Sequence, residues 1–285
     1  MTTFETEPGE GNAMSPSRLT SYLGCPRKYR YRYKDKAAEE RTPIALLFGS
    51  AVHEAAESWF KAFNATRMSL ADVKAEFLRA FTDLVRLAAE RDKPVDWGKD
   101  DRASLETMGQ SMMEVLVNQT KDKSLKVYGT EVPFEIELIE GNTVRGFIDL
   151  ILDDGEGRYI VVDLKTSAKA YGPDKLLYDH QPTIYIAAAE RMLNATGKVS
   201  FEYWILSKTK APTLRVLPAH RDERDRLELM ETLRDVQAAI IADVFPRHRS
   251  FMCKGCQFAD RCEAEILERY DEQLTVALCG KGGGL

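Results

Sequence analysis

From Leu47 onward, apolar side chains recur at intervals of three and four residues, at Val52, Ala56, Trp59 and Phe63, which is the period of a helix with one buried stripe. Two further amphipathic helices are predicted over 70–91 and 101–120. The first is capped by Ser69 and sets Phe77, Leu78, Phe81, Leu84 and Val85 on one side. Ahead of them, Ser15-Pro16 gives an N-cap followed by proline at the first helical position, so a short helix should run to about Leu23, and more helix should follow Pro26. At Leu125 the period drops to two, with Phe134, Ile136 and Leu138 alternating with charge. Strands are predicted over 125–139, 143–152 and 158–165, with Asp153-Asp154-Gly155 as the turn before the run Tyr159-Ile160-Val161-Val162. Residues 179–194 return to helix, 199–207 and 213–217 read as a strand pair, and 221–242 reads as a charged helix.

Composition adds limits. At 285 residues and 44% hydrophobic, the chain can bury a full core in one elaborated domain, expected over 15–270 with a helical region at 47–124 and a sheet core at 125–218. Residues 1–14 are expected to be disordered, and 271–285 to be a flexible tail. No apolar run approaches the roughly 20 residues of a membrane span. The chain opens on the polar Met1-Thr2-Thr3-Phe4-Glu5-Thr6-Glu7 rather than an export signal, so a reducing, cytoplasmic setting is expected.

That setting changes how the cysteines read. Cys253, Cys256 and Cys262 form C-x2-C-x5-C, and Cys25 stands alone near the start. The spacing suits thiolate ligands of one metal centre joining both ends of the chain, whereas inert buried thiols are the plainer alternative. Zinc and an iron–sulfur cubane both fit such a set. Cys279 reads as a spare.

The formal net charge of −5 argues against an indiscriminate nucleic-acid coat, so local clustering decides. Arg27, Lys28, Arg30, Arg32, Lys34 and Lys36 interleave with Tyr29, Tyr31 and Tyr33. Cations neutralise phosphates and aromatic faces stack on unpaired bases, so nucleic-acid contact is expected here, against the alternative of a solvated helix face.

In the strand region, Asp149 is a lone carboxylate in an apolar strand, and Asp163 and Lys165 lie two apart in the next. That spacing points both side chains to one face. Carboxylates converging on a sheet face hold a hard cation such as Mg2+ or Mn2+, beside which a lysine orients water or stabilises phosphoryl charge. The plain alternative is an intrastrand surface ion pair. His53-Glu54-x-x-Glu57 lacks the second histidine of a zinc-protease helix and is set aside on that ground.

Taken in order, His53 in Gly49-Ser50-Ala51-Val52-His53-Glu54, Gly146-x-x-Asp149, Asp163-x-Lys165 and Gln181-x-x-x-Tyr185 resemble the RecB-type exonuclease branch of the PD-(D/E)xK nuclease superfamily. The framing cysteines, with Ser17-Arg18-Leu19-x-x-Tyr22-x-x-Cys25-Pro26-x-x-Tyr29, are similar to its iron–sulfur subset, which includes AddB-type and CRISPR-adaptation nucleases. The resemblance spans roughly residues 15–265.

It implies an α/β fold with a restriction-endonuclease-like core: a central mixed sheet flanked by helices, a helical N-terminal insertion, and a 4Fe–4S cluster joining the terminal segments. It further implies a Mg2+- or Mn2+-dependent deoxyribonuclease acting at DNA ends, in recombination, repair or phage DNA metabolism. His53, Asp149, Asp163 and the Leu164 carbonyl would ligate the cation, Lys165 would be the catalytic lysine, and Gln181 and Tyr185 would position water or the scissile strand. Cys25, Cys253, Cys256 and Cys262 would hold the cluster, with zinc the second choice, and Arg27, Lys28, Arg30, Tyr31 and Arg32 would meet DNA with a free single-stranded end. Glu131, at the start of the first strand, reads as a surface glutamate, with membership of the acidic cluster as the alternative. A helicase or recombination partner would supply unwinding. The rival reading is an inactive DNA-binding module stabilised by zinc or iron–sulfur.

Overall fold

Ser15 caps helix α1 (Pro16–Gly24), its hydroxyl accepting from the Arg18 N–H at 3.2 Å, with Pro16 pre-set for the first helical position. The computed structural model describes residues 13–39, 41–66, 68–90, 95–122, 126–169 and 171–279, with side chains to 270. Met14 is already ordered: its N–H donates to the Thr143 carbonyl and its own carbonyl accepts from the Arg145 N–H, both at 2.9 Å. Of the expected disordered stretch, residues 1–12 lie outside the described residues, as do 280–285 of the expected tail.

After Cys25 the chain forms α2 (Pro26–Tyr29), which runs into a π-helical turn, Arg30–Lys34. The helical region then comprises α3 (Ile44–Lys61), α4 (Leu70–Glu90) and α5 (Arg102–Thr120), the last capped by Asp101, which accepts from the Ser104 N–H at 2.9 Å. Two-residue strands β1 (Thr42–Pro43) and β2 (Val95–Asp96) pair in parallel beside it. Helix α4 buries Val73, Phe77, Phe81 and Leu84, with the rings of Phe77 and Phe81 5.7 and 6.0 Å from Phe48 of α3. Each such side chain contributes about 1.5–3 kcal/mol on burial. The α4–α5 crossing depends on Gly109, where a Cβ would lie 1.9 Å from the Phe77 ring.

Five strands form the main sheet in the order β3 (Lys126–Ile139), β4 (Asn142–Asp153), β5 (Tyr159–Ser167), β6 (Val199–Ser207) and β7 (Leu214–Pro218). All pairings are antiparallel except β5–β6. A parallel pair needs a crossover, supplied here by α6 (Pro173–Tyr178), which periodicity does not predict, and α7 (His180–Leu193). Asp179 separates them, extended in backbone and accepting from the Gln181 N–H at 3.0 Å.

Helices α3, α4 and α5 cover one face of the sheet, over Leu150, Leu152, Val162, Leu164, Trp204 and Leu206. The other face packs Ile148, Ile151, Val161, Phe201, Tyr203 and Ile205 against α1, α7 and α8 (Glu223–Ile241). The fold is thus α/β, a mixed sheet flanked by helices. The chain closes with a 3-10 turn, Phe251–Gly255, and α9 (Ala259–Cys279), whose backbone carries helix into the stretch expected to be a tail.

Candidate active site

Strand β4 changes face at Asp149. Val144 and Ile148 pack toward α7, whereas Leu150 and Leu152 pack toward α3, so even-numbered positions swap sides across that residue. Across the ladder, Thr130 pairs with Leu150 and Val132 with Ile148, which sets Glu131 opposite Asp149. Glu131 has φ 45°, a left-handed conformation that costs a residue with a Cβ about 1–2 kcal/mol. Strain kept in mid-strand points to a functional site. A side chain at Gly146 would crowd this hairpin, since its Cβ would lie 3.1 Å from the Phe134 ring.

Regular pairing of β4 with β5 stops at Leu150↔Val162, and the Asp149 carboxylate enters the gap beyond, accepting from the Leu164 N–H at 2.9 Å. His53 of α3 reaches the same carboxylate, Nδ1 to Oδ2 at 3.5 Å. Ligand atoms of His53, Glu131 and Asp149 all lie within 4.8 Å of one another, the one such trio among the described residues. They border a cavity of about 20 Å3, enough for one water or a small cation. The expected surface position of Glu131 is therefore wrong. Its partner across the ladder is the very aspartate expected to ligate, and burial, then the charges of Asp149 and Glu57, pushes its carboxyl up to about 7.

Asp163, fully buried, neighbours this trio from β5 without belonging to it. Its Oδ1 accepts from Lys165 Nζ at 2.8 Å and from Gln181 Nε2 at 2.9 Å, while Oδ2 accepts no hydrogen bond, though the ammonium lies 2.7 Å away. The surface-pair alternative fails on this burial. Gln181 also donates to the Tyr185 hydroxyl at 3.0 Å, the two residues sharing one face of α7. Burial raises the Asp163 carboxyl to about 6 and also raises that of Asp149, while Lys165 opposes both shifts. Burial works against the Lys165 cation, but Asp163 and Asp149 outweigh it and raise its pKa. His53 is lowered to about 4 by burial and by Lys165, with Asp163 and the Leu164 backbone acting in the opposite direction.

One imidazole with several carboxylates that repel one another in the absence of a counter-ion is a donor set suited to a hard divalent cation. The sequence profile of the PD-(D/E)XK nuclease superfamily matches residues 13–263. This chain belongs to the PD-(D/E)XK nuclease superfamily. Superfamily members typically use divalent metals. Among solved structures, a candidate exonuclease from Eubacterium rectale is similar at 15% identity, covering 90% of this chain and 93% of that one with a TM-score of 0.53, a likeness of fold. A structure named SSO0001 aligns at 17% identity over 91% of this chain and 89% of its own, with a TM-score of 0.41. No curated protein matches the chain. No helix among the described residues is long and apolar enough to cross a membrane.

In this PD-(D/E)XK superfamily member residues 22–27 meet residues 244–265. Arg27 donates to the Phe245 carbonyl at 3.0 Å and to Glu265 at 2.7 Å, Tyr22 donates to the Val244 carbonyl at 2.7 Å, and His248 Nδ1 lies 2.8 Å from the Gly24 carbonyl. Four free thiols, Cys25, Cys253, Cys256 and Cys262, are half-buried in these segments. Burial raises the Cys262 thiol, with Cys25 adding to the rise and Arg247, Tyr31 and Arg27 opposing it. Arg247 also feels Cys253, and its buried Nε makes no hydrogen bond.

In the basic segment expected to meet DNA the arginines pair with carboxylates of the same chain. Besides Arg27, Arg30 pairs with Asp35 at 3.3 Å and Arg32 with Glu39 at 2.7 Å. Tyr31 is 1% exposed, its ring 5.7 Å from Phe258, so it offers no face to a base. Of the cations from Arg27 to Arg32, Lys28 alone has no ion pair among the described residues.

Proposed function

We propose that this chain is a Mg2+- or Mn2+-dependent DNA exonuclease of the RecB-type branch, and that a 4Fe–4S cluster ties its termini together. The observation that carries the reading is the meeting of His53, Glu131 and Asp149 around a cation-sized cavity, beside the buried Asp163–Lys165–Gln181 network.

His53, Asp149 and Asp163 would hold the cation, joined by Glu131 and, through its carbonyl, by Leu164. A bound cation supplies Lewis acidity and lowers the pKa of water toward neutrality. The residues do the rest. His53 stays neutral at physiological pH because burial disfavours its cation, so its ring nitrogen is free to ligate. Lys165, held protonated by two aspartates, offers N–H donors to the oxygens of a phosphodiester. Gln181 has both known contacts of its amide nitrogen committed, to Asp163 and to Tyr185, and so fixes the carboxylate rather than the substrate. Helix α3 lines one side of the site through His53, Ala56, Glu57 and Phe60.

One feature supports an added centre among the thiols. The orphaned Arg247 Nε beside Cys253 and Cys262 suits an added anionic acceptor such as sulfide. The cluster's role would be structural.

Incubating anaerobically purified protein with end-labelled DNA and Mn2+ tests the proposal. Shortening from one end supports it. Binding without degradation favours the inactive module, and a colourless, zinc-loaded preparation removes the cluster.

A further inference from the structure

On β5 the side chains of Asp163, Lys165 and Ser167 fall on one face of the sheet, because alternate residues do. Through the parallel register they stand beside Tyr203, Ile205 and Ser207 of β6, and across β6 stand Arg215 and Leu217 of β7. This row leads from the candidate active site to the sheet edge and ends in an open cleft of about 260 Å3. The volume is near the lower end of small-ligand pockets, about 300 Å3.

The cleft is chemically unlike its surroundings. Lys169 and Arg215 border it, both exposed and without an ion pair among the described residues, in a chain of net charge −5. By contrast, Arg27, Arg30 and Arg32 are each paired with a carboxylate. Hydroxyls fix the rim: Ser207 and Thr213 lie 3.1 Å apart, and Ser167 donates to the Lys169 carbonyl at 2.7 Å. Tyr171 stands at the inner end, its ring 5.5 Å from Tyr203, with the Lys175 ammonium 5.2 Å from its centroid. It lies within electrostatic reach of both Lys165 and Asp163, which joins the cleft to the reacting end of the sheet. Unneutralised cations with one aromatic ring are the groups that hold a single nucleic-acid strand.

We propose that this cleft is the subsite for the nucleotide adjoining the scissile phosphodiester, with Lys169 and Arg215 contacting phosphate and Tyr171 stacking on the base. The proposal rests on the DNA-hydrolase reading and extends it to the path of the substrate. A base over Tyr171 replaces the Lys175 ammonium there and leaves that cation for the neighbouring phosphate.

Fluorescence anisotropy of a labelled oligothymidylate, with Ca2+ in place of Mn2+ so that binding is read without turnover, tests it across a salt series. Arg215→Ala and Lys169→Ala should each weaken binding and flatten the dependence of log affinity on log salt by about 0.7. Tyr171→Ala should weaken binding about tenfold with no change in that slope, and Tyr171→Phe should bind as the unsubstituted protein does. Arg158→Ala, at the opposite end of β5, serves as the control. If Arg215→Ala and Lys169→Ala keep the original affinity and slope while the unsubstituted protein cleaves DNA, the subsite is wrong and the hydrolase reading stands. If the unsubstituted protein neither binds the oligonucleotide nor degrades DNA with Mn2+, both fall. Since Lys169 and Arg215 are exposed, their variants remain informative even where Tyr171→Ala loses packing against Tyr203.

Discussion

The Asp149 carboxylate accepts the Leu164 N–H at 2.9 Å, which puts a β4 side chain where the β4 backbone would otherwise pair with β5. The two strands part at the point where acidic groups must converge, and the amide exposed by the parting fixes one of those groups.

Asp163→Asn should lower the cleavage rate by at least about a hundredfold while sparing DNA affinity, because it removes a ligand charge and a Lys165 partner without touching the cleft at the sheet edge. Single-turnover rates and anisotropy measured on the same preparation check this. Cleavage at the original rate removes Asp163 from the site.

Mn2+ affinity should fall as pH drops below about 7. In the metal-free protein Glu131 takes up a proton near 7 and Asp163 near 6, so the cation then competes with protons. His53, lowered to about 4, stays neutral across this window and contributes no step. Between about pH 5 and 6 two protons are displaced, and log affinity should rise by about two per pH unit, against about one in Glu131→Gln. Calorimetric titrations at several pH values give the two slopes, and equal slopes would place Glu131 off the cation.

Gly109→Ala should lower stability by about 3 kcal/mol or more, and Tm by about 6 °C or more, because a Cβ 1.9 Å from the Phe77 ring forces α4 and α5 apart. A melting curve decides it. An unchanged Tm would mean the helices cross less closely than described.

Cys256→Ala should reduce bound iron and Tm together, since a centre joining Cys25 to the C-terminal thiols restricts a long loop of chain. Iron assay beside calorimetry tests this. Loss of iron with unaltered melting would make the centre peripheral to the fold.

Much of the fold was legible because it is local. The predicted strand 199–207 coincides with Val199–Ser207, and the predicted Ser15 cap, with Pro16 after it, acts within a turn of its own helix. Helix α6 was not legible, since it buries no residue and leaves no apolar period. The ion pairing of the basic segment after Cys25 was not legible for another reason: its acidic partners include Glu265, more than two hundred residues away, and no local pattern shows which charges are already neutralised.

The sequence by itself determined which chemical groups are present and in what order: an imidazole on a helix, an aspartate and an Asp-x-Lys pair on strands, and thiols at both ends. Tertiary structure alone decided that Glu131 joins the imidazole and Asp149, and that Arg27, Arg30 and Arg32 pair with Glu265, Asp35 and Glu39. The type of a donor atom is a property of one residue. Its approach to others within a few ångströms is set by strand register and by one left-handed φ, and both are fixed by packing across the whole sheet.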